Sequence, residues 1–185
     1  MSEEKKNLKE LFDVAEGQWD DVIIRHFDYL NFYPKSATAY YNLGFAFAQR
    51  GQSQNAEVAF NKALEFKADM AEAVINLGGL YFGRQEWDKS IEYNKKAFKM
   101  QPALINAKLN VAYALFMKGE YDQAVTAFEE LADHTDVKGA ANYGLSNVHY
   151  ELDNLKLSRK YFARAIELGV EPDPEFEKLL NDSKK

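Results

Sequence analysis

The chain has 185 residues, of which 46% are hydrophobic and 28% charged, so it can bury a core and does not resemble a disordered protein. It has no cysteine and a net charge of −6 without any basic block, which excludes disulfides and thiol chemistry and argues against a nucleic-acid partner; a partner of basic character is modestly favoured. Because the first ten residues, MSEEKKNLKE, are polar and no apolar stretch could span a bilayer, we expect a cytoplasmic protein without a transmembrane segment.

A three-residue pattern recurs every 34 residues along the chain. It reads NLG at 42–44, NLG at 76–78, NVA at 110–112 and GLS at 144–146. The same register, without gaps, divides the chain into segments 3–36, 37–70, 71–104, 105–138 and 139–172. Within each segment, apolar residues follow helical spacing for about twelve residues, break at a polar or glycine turn and then resume. Each segment therefore predicts a helical hairpin, and the whole chain an all-α protein.

The first two segments differ in how well they fit this pattern. Segment 3–36 has Lys6 and Lys9 where large apolar residues are expected, so its first helix is atypical. An end repeat tolerates this departure because one of its sides faces water. In segment 37–70 the helix predicted over "AYYNLGFAFAQ" ends at the run RGQ, where Gly51 can adopt the left-handed conformation of a helix cap.

Polar residues replace large ones at several repeat positions of the later segments. Asn94 stands at position 24, where an aromatic residue is expected, and Lys108 stands at position 4, where we expect its stem to pack while its amine reaches solvent. His26 and His149 occupy positions 24 and 11, so we expect them to pack rather than to bind a metal. At the C-terminus, Asp173 is a helix N-cap that precedes a short amphipathic helix.

The repeat resembles the tetratricopeptide repeat (TPR) family, in which position 4 is large, 7 leucine, 8 small, 11 aromatic, 20 small and 24 aromatic. Here position 7 reads Leu43, Leu77, Val111 and Leu145. The resemblance covers 3–185 and implies a right-handed TPR superhelix, an α-solenoid of about eleven helices, over 3–172, with a capping helix and tail over 173–185. It further implies that positions 4, 7, 8 and 11 face inward, while positions 2, 5, 9, 12 and 13 of the first helices line a concave groove.

In the segment "AYYNLGFAFAQ", this geometry predicts that Tyr40 and Phe47 lie in the core and that Tyr41 and Phe45 line the groove. Position-6 asparagines are common in the family, where they can hydrogen-bond the backbone of an extended peptide. Two alternatives stay open: about half of the groove rings serve inter-repeat packing, or a terminal segment fills the groove. The candidate peptide-binding residues are Tyr41, Asn42, Phe45, Asn76, Phe82, Asn106, Leu109, Asn110, Tyr113, Phe116, Met117, Tyr143, Asn147 and Tyr150.

The chain lacks the residues that two other functions require. The carboxylate clamp that binds chaperone C-terminal tails requires lysine and asparagine where this chain has Tyr41 and Phe45, so a buried terminal carboxylate would go uncompensated. Catalysis and cofactor binding have no support either, because no His/Cys/carboxylate cluster has metal-ligand spacing and no phosphate-binding loop is present.

The sequence therefore predicts a non-catalytic adaptor that binds a peptide or helix of a partner through apolar and aromatic anchors. One alternative is a self-assembling, homo-oligomeric scaffold on a cytoplasmic structure or membrane surface, since the layout is similar to that of the magnetosome-associated scaffold of the TPR family. Another is a chaperone of secreted subunits.

Overall fold

The computed structural model describes residues 19–182, and this part of the chain is all helical. The atypical first helix predicted around Lys6 and Lys9 lies outside the described residues. The ten helices of the described part are α1 (Asp20–Phe32), α2 (Ala37–Gln49), α3 (Ser53–Phe66), α4 (Ala71–Gly83), α5 (Trp87–Met100), α6 (Ile105–Lys118), α7 (Tyr121–Glu129), α8 (Lys138–Glu151), α9 (Leu155–Glu167) and α10 (Pro174–Asp182).

The described residues form two compact units, which divide between Arg84 and Gln85. In the first unit α1 packs on α2, α2 on α3, and α3 on α4. In the second unit each helix from α5 to α9 packs on the next, and α10 packs on α9. Such stacking of sequence neighbours is the construction of a solenoid, so the predicted all-α repeat fold is confirmed. That residues 3–172 form one solenoid domain stays a prediction.

The core of the first unit is built from the repeat positions that were predicted to face inward. Leu43 and Phe47 of α2 are fully buried, and Tyr40 is nearly so. The Phe47 ring packs edge-on against Phe27 of α1, with 6.4 Å between ring centroids. Because these side chains occupy one stripe of α2, the opposite stripe of the helix is left for other contacts.

The turn between α2 and α3 shows why glycine follows the first helix. Gly51 has φ +73°, and its N–H donates to the Ala48 carbonyl while the Gln52 N–H donates to the Phe47 carbonyl, both at 2.9 Å. These two bonds satisfy the last carbonyls of α2 in a Schellman cap, which confirms the predicted glycine turn. Gly119 ends α6 in the same way, with φ +85°.

The core of the second unit centres on Phe128 of α7, which is fully buried. Its ring lies against the backbone of Gly144 in α8, where a Cβ atom would sit only 2.4 Å from the ring. Leu131, Ala141 and Leu145 complete the surrounding cluster. Any side chain at position 144 would therefore displace a buried aromatic ring.

The C-terminal segment forms the predicted short helix, α10. The Glu175 N–H donates to the Asp173 carboxylate at 2.9 Å, and Pro174 is the first helical residue, as an N-cap followed by proline dictates. Leu180 is buried, and its carbonyl accepts a hydrogen bond from the Arg159 guanidinium at 3.0 Å. The helix is thus fixed to α9 by both an apolar and a polar contact.

Candidate protein-binding surface

Phe45 is the most exposed candidate residue of the first unit. It projects from α2 on the side opposite Leu43 and Phe47 and keeps 41% of its surface exposed. Its ring meets Trp19 edge-on, with 6.0 Å between centroids. An aromatic pair of this kind, left partly in solvent, is a typical anchor surface for another polypeptide.

Tyr41 is half-buried and takes part in contacts within the first unit. Its ring packs against Phe60 at 5.8 Å, and its hydroxyl accepts a hydrogen bond from the Asn76 amide at 3.3 Å. The structure therefore brings together two candidate residues from consecutive repeats, Tyr41 and Asn76. The last candidate of this unit, Phe82, is half-buried on α4.

The asparagines at repeat position 6 bond to the preceding repeat. Asn42 donates to Nε2 of His26 at 2.9 Å, while Nδ1 of His26 donates to the Val22 carbonyl at 2.7 Å. This pattern corresponds to the histidine tautomer protonated on Nδ1.

The second unit repeats this arrangement with different residues. Asn110 donates to Oδ1 of Asn94 at 3.0 Å, and Asn94 donates to the Ser90 carbonyl at 2.8 Å. In both units, the polar residue at position 24 bonds back four residues along its own helix and receives the position-6 amide of the following repeat. Burial of a polar residue at position 24 is compatible with folding because these bonds satisfy it.

The polar residues at position 24 share one kind of partner. Where position 24 is His26 or Asn94, the asparagine at the following position 6 donates to it. Where position 24 is aromatic the following residue varies: Asn76 follows Phe60 and donates to the Tyr41 hydroxyl, whereas Gly144 follows Phe128 and leaves room for its ring. Sequence reasoning missed this pairing. The available signal was the spacing of 16 residues between each polar position 24 and its asparagine.

Tyr113 is the candidate residue most firmly held by the second unit. Its hydroxyl donates to the Ala140 carbonyl at 3.0 Å, and its ring packs edge-on against Phe128 with 5.0 Å between centroids. Burial raises the pKa of the Tyr113 phenol to about 12. The side chain therefore supports the α6–α8 packing, whatever else it contacts.

The other candidate residues of α6 differ in their exposure to solvent. Met117 keeps 50% of its surface in solvent, and Asn106 is exposed as well. Phe116 is half-buried, its ring 6.0 Å from that of Tyr121, and Leu109 is half-buried against the core. Met117 and the outer face of Phe116 thus form the accessible apolar part of this helix.

The candidate residues on α8 contact the C-terminal helix, α10. The ring of Phe176 in α10 packs edge-on against Tyr143 at 5.8 Å and against Tyr150 at 5.4 Å. The Tyr143 hydroxyl accepts the Asp173 N–H at 3.1 Å. Asn147 lies between the two tyrosines in sequence, and its side-chain oxygen is buried with no hydrogen-bond partner among residues 19–182. A terminal segment therefore covers part of the candidate surface at this end.

His149 is buried in α8, in keeping with the packing role expected for it. Its ring stacks on that of Tyr161 in α9, with 5.5 Å between centroids and 6° between planes. Nδ1 finds no hydrogen-bond partner within the described part of the chain. Burial lowers the pKa of His149, and the nearby Glu129 carboxylate only partly opposes this effect.

Because its pKa is lowered on folding, His149 should make stability depend on pH. Between its ordinary pKa of about 6.5 and its lower folded value, the unfolded chain binds more protons, so stability falls as the pH is lowered through that range. We expect the urea midpoint of the natural chain to fall more between about pH 7.5 and about pH 5.5 than that of the His149→Phe variant. An equal fall of the urea midpoint in the two proteins would contradict the assignment of this pH dependence to the buried His149.

No three histidine, aspartate or glutamate side chains of residues 19–182 are grouped so that they could hold a metal ion. Among the described helices, none is long and apolar enough to cross a membrane.

The stacked hairpins, with small residues where helices touch and apolar side chains on the outer face of the first helices, define a helical repeat protein. Profiles of the tetratricopeptide repeat match residues 37–70 and residues 109–174. The chain belongs to the tetratricopeptide repeat family, as its 34-residue period predicted. No curated protein matches the chain.

Several solved structures share the fold. MamA from Desulfovibrio magneticus RS-1 is 17% identical, with a TM-score of 0.73 over 82% of this chain and 86% of that chain. A second MamA crystal structure is 19% identical, with a TM-score of 0.71 over 84% and 96%. YrrB, a TPR protein described as having an unusual peptide-binding site, is 19% identical, with a TM-score of 0.70 over 90% and 83%. The predicted likeness in layout to the magnetosome-associated scaffold is thereby confirmed.

Proposed function

We propose that this protein is a non-catalytic scaffold that binds a partner polypeptide through the outward apolar residues of its first helices. The observation that carries the proposal is the exposure of Phe45 on α2 and Met117 on α6 after the core positions of both helices are filled. Aromatic side chains supply a large contact area, and the flexible methionine side chain adapts its shape to a partner. The peptide-binding site named for YrrB gives a precedent on the same fold.

The proposed contact is narrower than the groove predicted from sequence. Tyr113 and Tyr41 already make hydrogen bonds within their units, and Tyr143 and Tyr150 already pack against Phe176. We therefore assign them the role of supporting their own units, and we assign the anchoring role to Phe45 in the first unit and to Phe116 and Met117 in the second. The asparagine amides at position 6 retain further hydrogen-bonding capacity for a peptide backbone.

The double variant Phe45→Ser, Met117→Ser tests this assignment. Partners captured from the native source by the full chain should bind the variant at least about tenfold more weakly, because two anchors of the kind that dominate interfaces are removed. Val58→Ser is the matched control, since Val58 is 48% exposed but lies on the second helix α3. Unchanged binding by a double variant with unchanged circular dichroism would refute the assignment.

Self-assembly on a cytoplasmic structure is the second candidate function, and it predicts a different result. Sedimentation velocity over a range of concentrations should show larger species for the natural chain, and fewer for the Phe45→Ser, Met117→Ser variant, if the ligand of these side chains is another copy of the chain. A chain that stays monomeric while it binds a different protein supports the adaptor function instead.

A further inference from the structure

Helix α1 carries exposed aromatic rings on the side opposite its buried residues, which include Ile23 and Leu30. Tyr29, Phe32 and Tyr33 keep 47%, 80% and 57% of their surface in solvent, and we call these three residues the α1 stripe. The two tyrosine rings lie 4.6 Å apart, so the exposed rings are neighbours rather than scattered. A cluster of exposed apolar side chains marks an interaction site more often than a single one does.

In other repeats, the side of the second helix that corresponds to the α1 stripe packs on the first helix of the same repeat. At position 20 of α9, the Ser158 carbonyl accepts a hydrogen bond from the hydroxyl of Ser146 on α8 at 2.9 Å. At position 30 of α3, the Phe66 ring stacks on Tyr40 of α2 with 5.6 Å between centroids. Phe32 stands at position 30 of α1 and is mostly exposed. The α1 stripe is therefore a helix-packing side that is open to solvent.

The α1 stripe is poorly shaped for the close approach of a first helix. Position 27 of α1 is Tyr29, whereas α3, α5 and α9 have a small, fully buried residue there, namely Ala63, Ala97 and Ala165. In the sequence, position 4 of the first repeat is Lys6, where the second repeat has Tyr40 to receive the ring at position 30. A large ring at the contact position and a lysine opposite Phe32 favour a different ligand.

The charges around the α1 stripe favour a second copy of the chain. Asp21 and Arg25 are exposed on the same side of α1, toward its N-terminus, and the exposed Lys35 follows the helix end. When two α1 helices lie antiparallel about a two-fold axis, Asp21 of each copy faces Lys35 of the other. Arg25 of each copy then faces the Phe32 ring of the other, which is a favourable cation–π contact. This side of α1 is thus complementary to itself.

The exposed area of the α1 stripe corresponds to a weak dimer. With about 200 Å² for a whole aromatic side chain, the three rings expose roughly 370 Å² per chain, so two copies can bury at most roughly 700 Å² of ring surface. Flanking residues raise this total toward the roughly 1,000 Å² at which specific interfaces begin. At concentrations well below the dissociation constant the chain is monomeric, so the stability of the single chain can be measured there.

We propose that the α1 stripe is a symmetric contact between two copies of this chain, in which the two α1 helices lie antiparallel. The inference does not rest on the proposed function, because the α1 stripe shares no residue with the anchors Phe45, Phe116 and Met117. Each dimer carries these anchors twice, so a partner with two binding segments would be held more tightly through avidity.

Sedimentation velocity of the full chain, from about 10 μM to about 1 mM, tests the contact. The natural chain should change from monomer to dimer over this range, and Phe32→Ser should raise the dissociation constant at least about tenfold. Val58→Ser, on α3 of the same unit, is the matched control and should dimerise like the natural chain. The Phe45→Ser, Met117→Ser variant should also still dimerise, which separates this contact from self-assembly through the anchors.

Two outcomes of this measurement would overturn the proposal. One is a natural chain that stays monomeric up to about 1 mM, as it would if another segment of the same chain covered the α1 stripe. The other is a dimer that a folded Phe32→Ser variant forms as readily as the natural chain. Neither outcome affects the proposed function, because partner binding is measured on different side chains.

Reversal of the end charges tests the antiparallel arrangement. Asp21→Lys and Lys35→Glu each bring like charges together at both ends of the dimer, so each should weaken dimerisation about tenfold at low salt. Mixed in equal amounts, the two variants should form heterodimers in preference to either homodimer, because both end pairs are then attractive. Native mass spectrometry counts the three species, and circular dichroism checks that both variants remain helical. A purely statistical mixture of dimers would overturn the antiparallel contact.

Discussion

Phe128→Ala should lower the free energy of unfolding of the second unit by about 3–5 kcal/mol. The ring is fully buried, it packs edge-on against Tyr113 at 5.0 Å, and it lies against the backbone of Gly144. Three helices, α6, α7 and α8, therefore lose a shared contact when it is removed. Neighbouring side chains cannot close the gap fully, because Gly144 has no side chain to move into it.

Urea unfolding followed by circular dichroism measures this loss. Phe32→Ala is the control for the amino-acid change itself, since Phe32 is 80% exposed and its removal should cost less than about 0.5 kcal/mol. A loss below about 1 kcal/mol for Phe128→Ala would contradict the packing of α6, α7 and α8 around this ring.

Gly44→Ala should destabilise the first unit by about 1–3 kcal/mol, although alanine is the better helix former. A Cβ atom on Gly44 would lie 2.6 Å from the Phe60 ring, and Phe60 is fully buried, so the ring cannot move aside. The close approach of α2 and α3 at this point depends on the missing side chain.

Gly79→Ala provides the comparison for that change. Gly79 lies within α4 of the same unit, and no atom stands within 4 Å of the place where its Cβ would be. Alanine should therefore stabilise the unit there by about 0.5–1 kcal/mol. If thermal unfolding shows both variants gaining stability, the contact between Gly44 and Phe60 is not as tight as the structure indicates.

Local sequence signals predicted much of the fold because helical periodicity and turn chemistry act over a few residues. The helix break at Gly51 and the Asp173 cap before Pro174 follow from backbone preferences that neighbouring repeats do not alter. The inward stripe of α2 was predictable for the same reason, since Tyr40, Leu43 and Phe47 share one face of the helix.

The roles of the candidate residues were harder to predict, because contacts with other helices determine how each outward side chain is used. The Tyr113 hydroxyl donates to the Ala140 carbonyl, and the Asn42 amide donates to His26. Both acceptors belong to other repeats. Phe176 covers Tyr150 only because α10 packs back onto the hairpin before it. A pattern of positions within one repeat contains none of this information, so several predicted groove residues turned out to support the unit that carries them.

The most direct test of the scaffold proposal is hydrogen exchange of the full chain, alone and with its captured partner, read by mass spectrometry on peptides of α2 and α6. If the first helices bind the partner, exchange in the complex should be slower for the peptides that carry Phe45, Phe116 and Met117. A sample of the Phe45→Ser, Met117→Ser variant with the same partner should show no such slowing. Unchanged exchange of α2 and α6 in a saturated complex would contradict the claim that the first helices bind the partner.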